Sequence, residues 1–126
     1  MLGRRGMRWA IVALLCLTPV AAGAGEADVL EVSVTPTGDG TWRFDVTVQH
    51  ADTGWDHYAD AWEVLAPDGT VLGARRLLHP HTEEQPFTRS LIGVTIPQGV
   101  TQVTVRAHDS VHGHGGREAV VELPRE

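Results

Sequence analysis

Seven histidines are the residues of this 126-residue chain best suited to chemistry near neutral pH, and they fall in three short stretches. QHADTGWDHYAD (49–60) carries His50 and His57, HPHTEEQP (79–86) carries His79 and His81, and HDSVHGHGG (108–116) carries His108, His112 and His114. Carboxylates accompany them: Asp52, Asp56, Asp60, Glu83, Glu84 and Asp109. Neutral imidazole is a good ligand for zinc, copper and nickel, and a neighbouring carboxylate can complete the shell or orient a ring by accepting its second N–H. In HPH the two rings are spaced i, i+2, which points both the same way on extended backbone, and Pro80 favours that conformation at His79. The sulfur-bearing residues are Met1, Met7 and Cys16, all within the first sixteen positions. If those residues are removed from the mature chain, no soft ligand is left. That disfavours a cuprous or blue-copper site and leaves Cu(II) or Zn(II).

The elements that must position these side chains read as strands. In TWRFDVTV, Trp42, Phe44, Val46 and Val48 alternate with Arg43, Asp45 and Thr47, the period of a half-buried strand. VLEVSVT alternates through Leu30, Val32 and Val34, DAWEVLA through Trp62, Val64 and Ala66, and TQVTVRA through Val103, Val105 and Ala107. VLGARRLL, PFTRSLIGVTIP and EAVVELP complete a set of seven, and a change of phase near Leu91 and Ile92 suggests a bulge. TPTGDG, PDGT and PQGV read as tight turns. Seven short strands with turn signals at regular intervals predict a seven-stranded antiparallel sandwich of the immunoglobulin or fibronectin type III kind over residues 25–126; a cupredoxin-like arrangement or a small barrel is the alternative. Trp42, Phe44, Val46, Trp62, Val64, Val103 and Val105 are its expected core.

Antiparallel strands joined in sequence alternate in direction, so every second connection lies at one end of the sandwich. The three tight turns share one end. The three histidine stretches share the other. A metal site assembled across loops is therefore expected, with His57 from the first stretch, His79 and His81 from the second, and His108 and His112 from the third. His50 is expected at a strand end facing solvent, and His114 is set between glycines. A second function fits the same loop end: Trp55 and Tyr58, with Trp62 near them, could form a stacking platform for a sugar or another partner without metal. Catalysis by a nucleophile is not expected. His108, Asp109 and Ser110 are triad residue types, but sequence neighbours cannot adopt triad geometry.

The beginning of the chain reads as an export signal. Arg4, Arg5 and Arg8 precede the apolar run WAIVALLCL, and VAAGAGEA follows with small residues at Ala22 and Ala24. This is the pattern of a secretory signal peptide over residues 1–24, cleaved after Ala24. The apolar run falls short of the roughly 20 residues a membrane span needs. Leu14 and Leu15 precede Cys16 where lipid modification would require small residues, so the sequence argues against a lipid anchor. Cleavage removes the single cysteine, so the mature chain forms no disulfide. It also leaves seven arginines, no lysine and sixteen acids, a formal charge of −9 (7 − 16). A domain so acidic is not expected to bind nucleic acid or anionic lipid by charge, whereas it attracts cations. A periplasmic or secreted location is expected. DTGWDHYADAWEV, LLHPHTEEQPFTRSL and RAHDSVHGHGG resemble segments of a group of small exported bacterial β-sandwich proteins. That resemblance implies export and the sandwich fold, and it brings no activity with it.

Overall fold

The computed structural model describes residues 11–12 and 25–124. The signal-peptide reading of residues 1–24, with Cys16 and the Ala24 cleavage point, lies outside the described residues apart from Ile11 and Val12. Among the described residues the chain is all-β: β1 (Ile11–Val12), β2 (Asp28–Gly38), β3 (Thr41–Gln49), β4 (Ala59–Leu65), β5 (Val71–Arg76), β6 (Phe87–Thr95), β7 (Gln102–Asp109) and β8 (Ala119–Glu122). Strands β2 to β8 form two antiparallel sheets, β2-β3-β6 and β5-β4-β7-β8, and β1 adds a two-residue ladder to the free edge of β2.

Alternation on the strands builds the core between the sheets. Trp42, Phe44, Val46 and Val48 of β3 face Trp62 and Val64 of β4 and Val103, Val105 and Ala107 of β7, and all of them are buried. The seven residues expected in the core are therefore all there. Bulges shift the phase of several strands, β2 and β6 among them. On β2, Val29 pairs with Val48 and Glu31 with Thr47. Leu30 is the extra residue of a bulge, so Val29 is fully buried in the place the simple alternation gives to Leu30. On β6, Leu91 lies opposite Phe44 and Val94 opposite Trp42, which inserts one residue at Ile92–Gly93. Gly93 takes a φ of 73°, open to glycine, and Ile92 is left 67% exposed while Val94 returns to the core.

The turns after β2, β4 and β6 lie at one end of the sandwich. The connections after β3, β5 and β7 lie at the other end, together with the segment Gly25–Ala27 that enters β2. Hydrogen bonds tie these pieces to each other. The amides of Tyr58 and Ser110 reach the Ser110 Oγ (3.1 Å) and the Tyr58 carbonyl (2.9 Å). Gln85 accepts from the His50 amide (2.9 Å) and donates to the His81 carbonyl (3.0 Å). The Val29 amide donates to the Arg117 carbonyl (2.8 Å), and the Arg117 amide donates to Asp28 Oδ1 (2.7 Å). The entry segment is thereby laid against the connection that carries His112 and His114. The histidine end is a braced surface rather than three independent loops.

Candidate metal centre

The strand periodicity carries two polar residues into the interior. On β3 the inward set Trp42, Phe44, Val46 and Val48 continues one step past the strand to His50. On β7 the inward set Val103, Val105 and Ala107 continues to Asp109, the last strand residue. His50 is 2% exposed and Asp109 fully buried, so His50 does not face solvent as expected. A buried ionisable group is costly unless it is paired, and both are.

His50 donates through Nδ1–H to Asp52 Oδ1 at 2.5 Å. Asp52 is itself buried, and it accepts from the Ala59 amide (3.1 Å, Oδ1) and the His81 amide (2.7 Å, Oδ2). With Nδ1–H committed to Asp52, the His50 Nε2 is the atom turned to the cluster. Around it lie the Gly25 carbonyl oxygen (2.8 Å), His57 Nε2 (3.3 Å) and Asp109 Oδ2 (3.4 Å). His57 Nε2 in turn lies 3.1 Å from the same carbonyl and 3.6 Å from Asp109 Oδ1. Asp109 is held by the amides of Val111 (2.7 Å) and His112 (2.5 Å) and by His112 Nδ1 (3.2 Å). Burial pushes its carboxyl up, but those two amides, the His112 ring and the charge of His50 outweigh it, so the carboxyl lies below its ordinary value of 3.8. Asp109 is thus held as a carboxylate.

His50, His57 and Asp109 form the group of three ligating side chains among the described residues whose donor atoms lie within 4.8 Å of one another. The separations can be compared with coordination geometry. Two donors about 2.0–2.1 Å from one tetrahedral ion sit roughly 3.3–3.4 Å apart. The His50–His57 edge of 3.3 Å and the 3.4 Å from His50 Nε2 to Asp109 Oδ2 have that size, while His57 Nε2 meets the other carboxylate oxygen, Oδ1, at 3.6 Å. Two imidazole nitrogens, a carboxylate and a peptide carbonyl all bring lone pairs to one point, an arrangement that needs positive charge in its midst. Hydrogens on the rings or a metal cation can supply it.

The seven histidines divide into three groups. Of the expected ligands, His57 and His112 meet at the centre, with ring centroids 4.9 Å apart. His108 goes to the outer face of its sheet, because neighbours on a strand point to opposite sides. There it donates to Asp60, the extra residue of a β4 bulge, at 2.6 Å and packs edge-on to His114 (4.8 Å). His114 lies 3.5 Å from Glu63, which also accepts from Arg106 at 2.9 Å. His79 and His81 make the third group, with rings 4.6 Å apart and His81 stacked on Phe87 at 4.0 Å. His81 is 5% exposed, and neither ring nitrogen has a hydrogen-bond partner. Burial lowers its pKa below 6.5, helped by the charges of Arg89 and His79 and opposed by Glu84 and Asp52. Its backbone amide on Asp52 links it to the centre.

Residue-type counting points to the connections that meet at this cluster and to His57 and His112. It passes over His50, Asp52 and Asp109. The signal for His50 and Asp109 is the alternation itself: carried one position further on each strand, it turns both residues inward. Gly25 gives no comparable signal. Its φ is 91°, and a Cβ there would lie 2.8 Å from His112 Cε1 and 3.3 Å from His57 Cε1, so glycine alone fits without displacing the rings.

The chain is 45% identical over 97 residues to a protein of Halomicrobium mukohataei described as "Putative lipoprotein". The match takes in 77% of this chain and 47% of that protein, so the chain spans about half the length of the curated relative it matches. No family model matches the chain, and no solved structure matches it.

Proposed function

We propose that this chain is an exported protein that binds a divalent transition metal, Cu(II) or Zn(II), through His50, His57 and Asp109, with His112 at the rim. The observation that carries the reading is the convergence of two imidazole Nε2 atoms, 3.3 Å apart, on a buried carboxylate whose two oxygens lie 3.4 and 3.6 Å from them, with one donor atom from each residue within 4.8 Å of the others. The Asp52–His50 pair supports it, since a carboxylate on the far nitrogen fixes the tautomer and raises the basicity of a ligating ring. This ligand set keeps His57 and His112 of the sequence expectation, adds His50 and Asp109, and leaves out His79, His81 and His108. Export is supported by the leader pattern and by the relative's description as a lipoprotein. A fibronectin-type sandwich is supported by the sheet order, with the first, second and fifth of the seven strands in one sheet and the other four in the second.

The test is a metal panel read by melting temperature and affinity. A metal that binds only the folded chain stabilises it by about 2.7 kcal/mol at 100 times its Kd, and a chelator reverses the shift. His50→Ala, His57→Ala and Asp109→Ala are expected to abolish the effect, whereas His79→Ala and His108→Ala leave it. If no divalent metal shifts the melting temperature of the wild-type domain, the reading fails.

One observation favours a second reading. Trp55 is 67% exposed and packs edge-on against Tyr58, with centroids 5.5 Å apart. A metal-free interaction or carbohydrate-binding module using that pair predicts that oligosaccharides shift the melting temperature while metals do not, and that Trp55→Ala removes the shift.

A further inference from the structure

We propose that the amino terminus created by signal cleavage, the α-amine of Gly25, is itself a ligand of the metal centre. The inference rests on the metal-binding reading above and deepens it. Three structural observations and one sequence pattern meet at this residue. Its carbonyl oxygen lies between the two rings, 2.8 Å from His50 Nε2 and 3.1 Å from His57 Nε2. Its backbone comes so close to the His112 and His57 rings that a Cβ would strike the first at 2.8 Å. It lines a cleft with Glu26, Asp28, His50 and Gln85 that keeps the place open to solvent. And the small residues of AGAG match the pattern of a signal-peptide cleavage site directly before it.

Chain ends usually fray unless something ties them down. This one is tied three residues on: Asp28 accepts from the Arg117 amide (2.7 Å) and Val29 donates to the Arg117 carbonyl (2.8 Å). Cleavage at Ala24 would therefore leave a free amine on a residue already fixed beside two imidazoles. The amine and carbonyl of one residue close a five-membered chelate ring on a metal. On binding, the ammonium gives up one proton to solvent and its nitrogen lone pair goes to the cation. Three nitrogens and a carboxylate oxygen then make a four-donor set for Cu(II) or Zn(II), with the Gly25 carbonyl as a fifth donor. The site would be complete only after export, because before processing that nitrogen is an amide with no lone pair to offer.

Three forms of the domain decide this: one beginning at Gly25, one that retains Ala24, and the Gly25 form acetylated at its amine. Cu(II) and Zn(II) affinities are measured by competition with a chelator, and the apo melting temperatures are compared to establish that all three are folded. A tethered extra donor is expected to make the Gly25 form bind about 100-fold more tightly than either blocked form. Its Cu(II) spectrum should show one more coupled nitrogen, and its binding should release one more proton. Equal affinities and identical spectra in the three forms would overturn the proposal and leave the histidine–aspartate site standing. Absence of binding in all three would overturn both. An intact mass for the protein exported by a host cell that begins anywhere but Gly25 would also overturn it.

Discussion

At the scale of single residues, the proposed centre is defined by what holds its candidate ligands. Asp52 offers no donor to a metal, but it fixes the His50 ring and also receives the His81 and Ala59 amides. Asp52→Asn keeps the shape and loses the charge, so it no longer specifies which His50 nitrogen carries hydrogen. Such a change to a ligand's partner typically costs about 10–100-fold in metal affinity, and that is the expected loss in a competition titration. His50→Ala should eliminate binding, which separates the ligand from the residue that orients it. Gly113 is a second residue-scale test. It takes a φ of 74° and exchanges backbone hydrogen bonds with Asp109 at 3.1 Å in both directions. A non-glycine residue in that left-handed conformation costs about 1–2 kcal/mol. Gly113→Ala is therefore expected to lower stability by that amount in denaturant titration, and to weaken metal binding by shifting the turn that carries His112.

At the scale of elements, each proposed ligand depends on the strand that delivers it. β3 delivers His50 and β7 delivers Asp109, and both strands are anchored by Trp62 on β4, which lies fully buried in the shared core. Trp62→Ala is expected to cost about 3–5 kcal/mol, the range for truncating a buried aromatic. The Trp62 indole N–H has no hydrogen-bond partner, so Trp62→Phe sacrifices area but no hydrogen bond and should cost clearly less. Chemical denaturation of the two variants checks both expectations; equal costs would mean that the indole nitrogen makes a bond that matters. The bulges serve position as well. The one at Asp60 turns that carboxylate outward to meet His108, which alternation along β7 already points away from Asp109.

At the scale of the whole molecule, the histidine end makes stability depend on pH even without metal. Burial holds the His81 pKa below its ordinary 6.5, so over the interval between the two values the unfolded chain binds more protons than the folded one. Stability then rises with pH: this contribution is fully present above about 6.5 and is lost as the pH falls from there toward the folded value. His114, lowered first by burial and then by Arg106, adds in the same direction. Melting temperature is expected to fall as the pH is taken from 7.5 toward 5, more steeply in the wild type than in His81→Leu. An unchanged slope in that variant would assign the acid sensitivity elsewhere. Bound metal competes with protons for the same type of ring, so its stabilisation should also fade over this range.

Alternation and turn chemistry determined most of the architecture. Seven strands, three tight turns at one end, three histidine-bearing connections at the other, and a core of Trp42, Phe44, Trp62 and the inward valines all follow from a period of two and from residues such as Asp39-Gly40 and Pro67 to Gly69. Those are local properties, and local sequence encodes them directly. The partnering of side chains is not local. Whether His57 meets His50 or His108 depends on which strand neighbours the other and on how far each alternation runs before the chain turns. His108 and His112 look equivalent in sequence, yet one sits on a strand position that faces outward and the other on a turn that folds back over Asp109. The place of Gly25 was least legible of all. Nothing within its own neighbourhood marks it; only the antiparallel pairing of β2 with β3, and the bonds from Asp28 and Val29 to Arg117, bring that backbone against rings 25, 32 and 87 positions away in the chain.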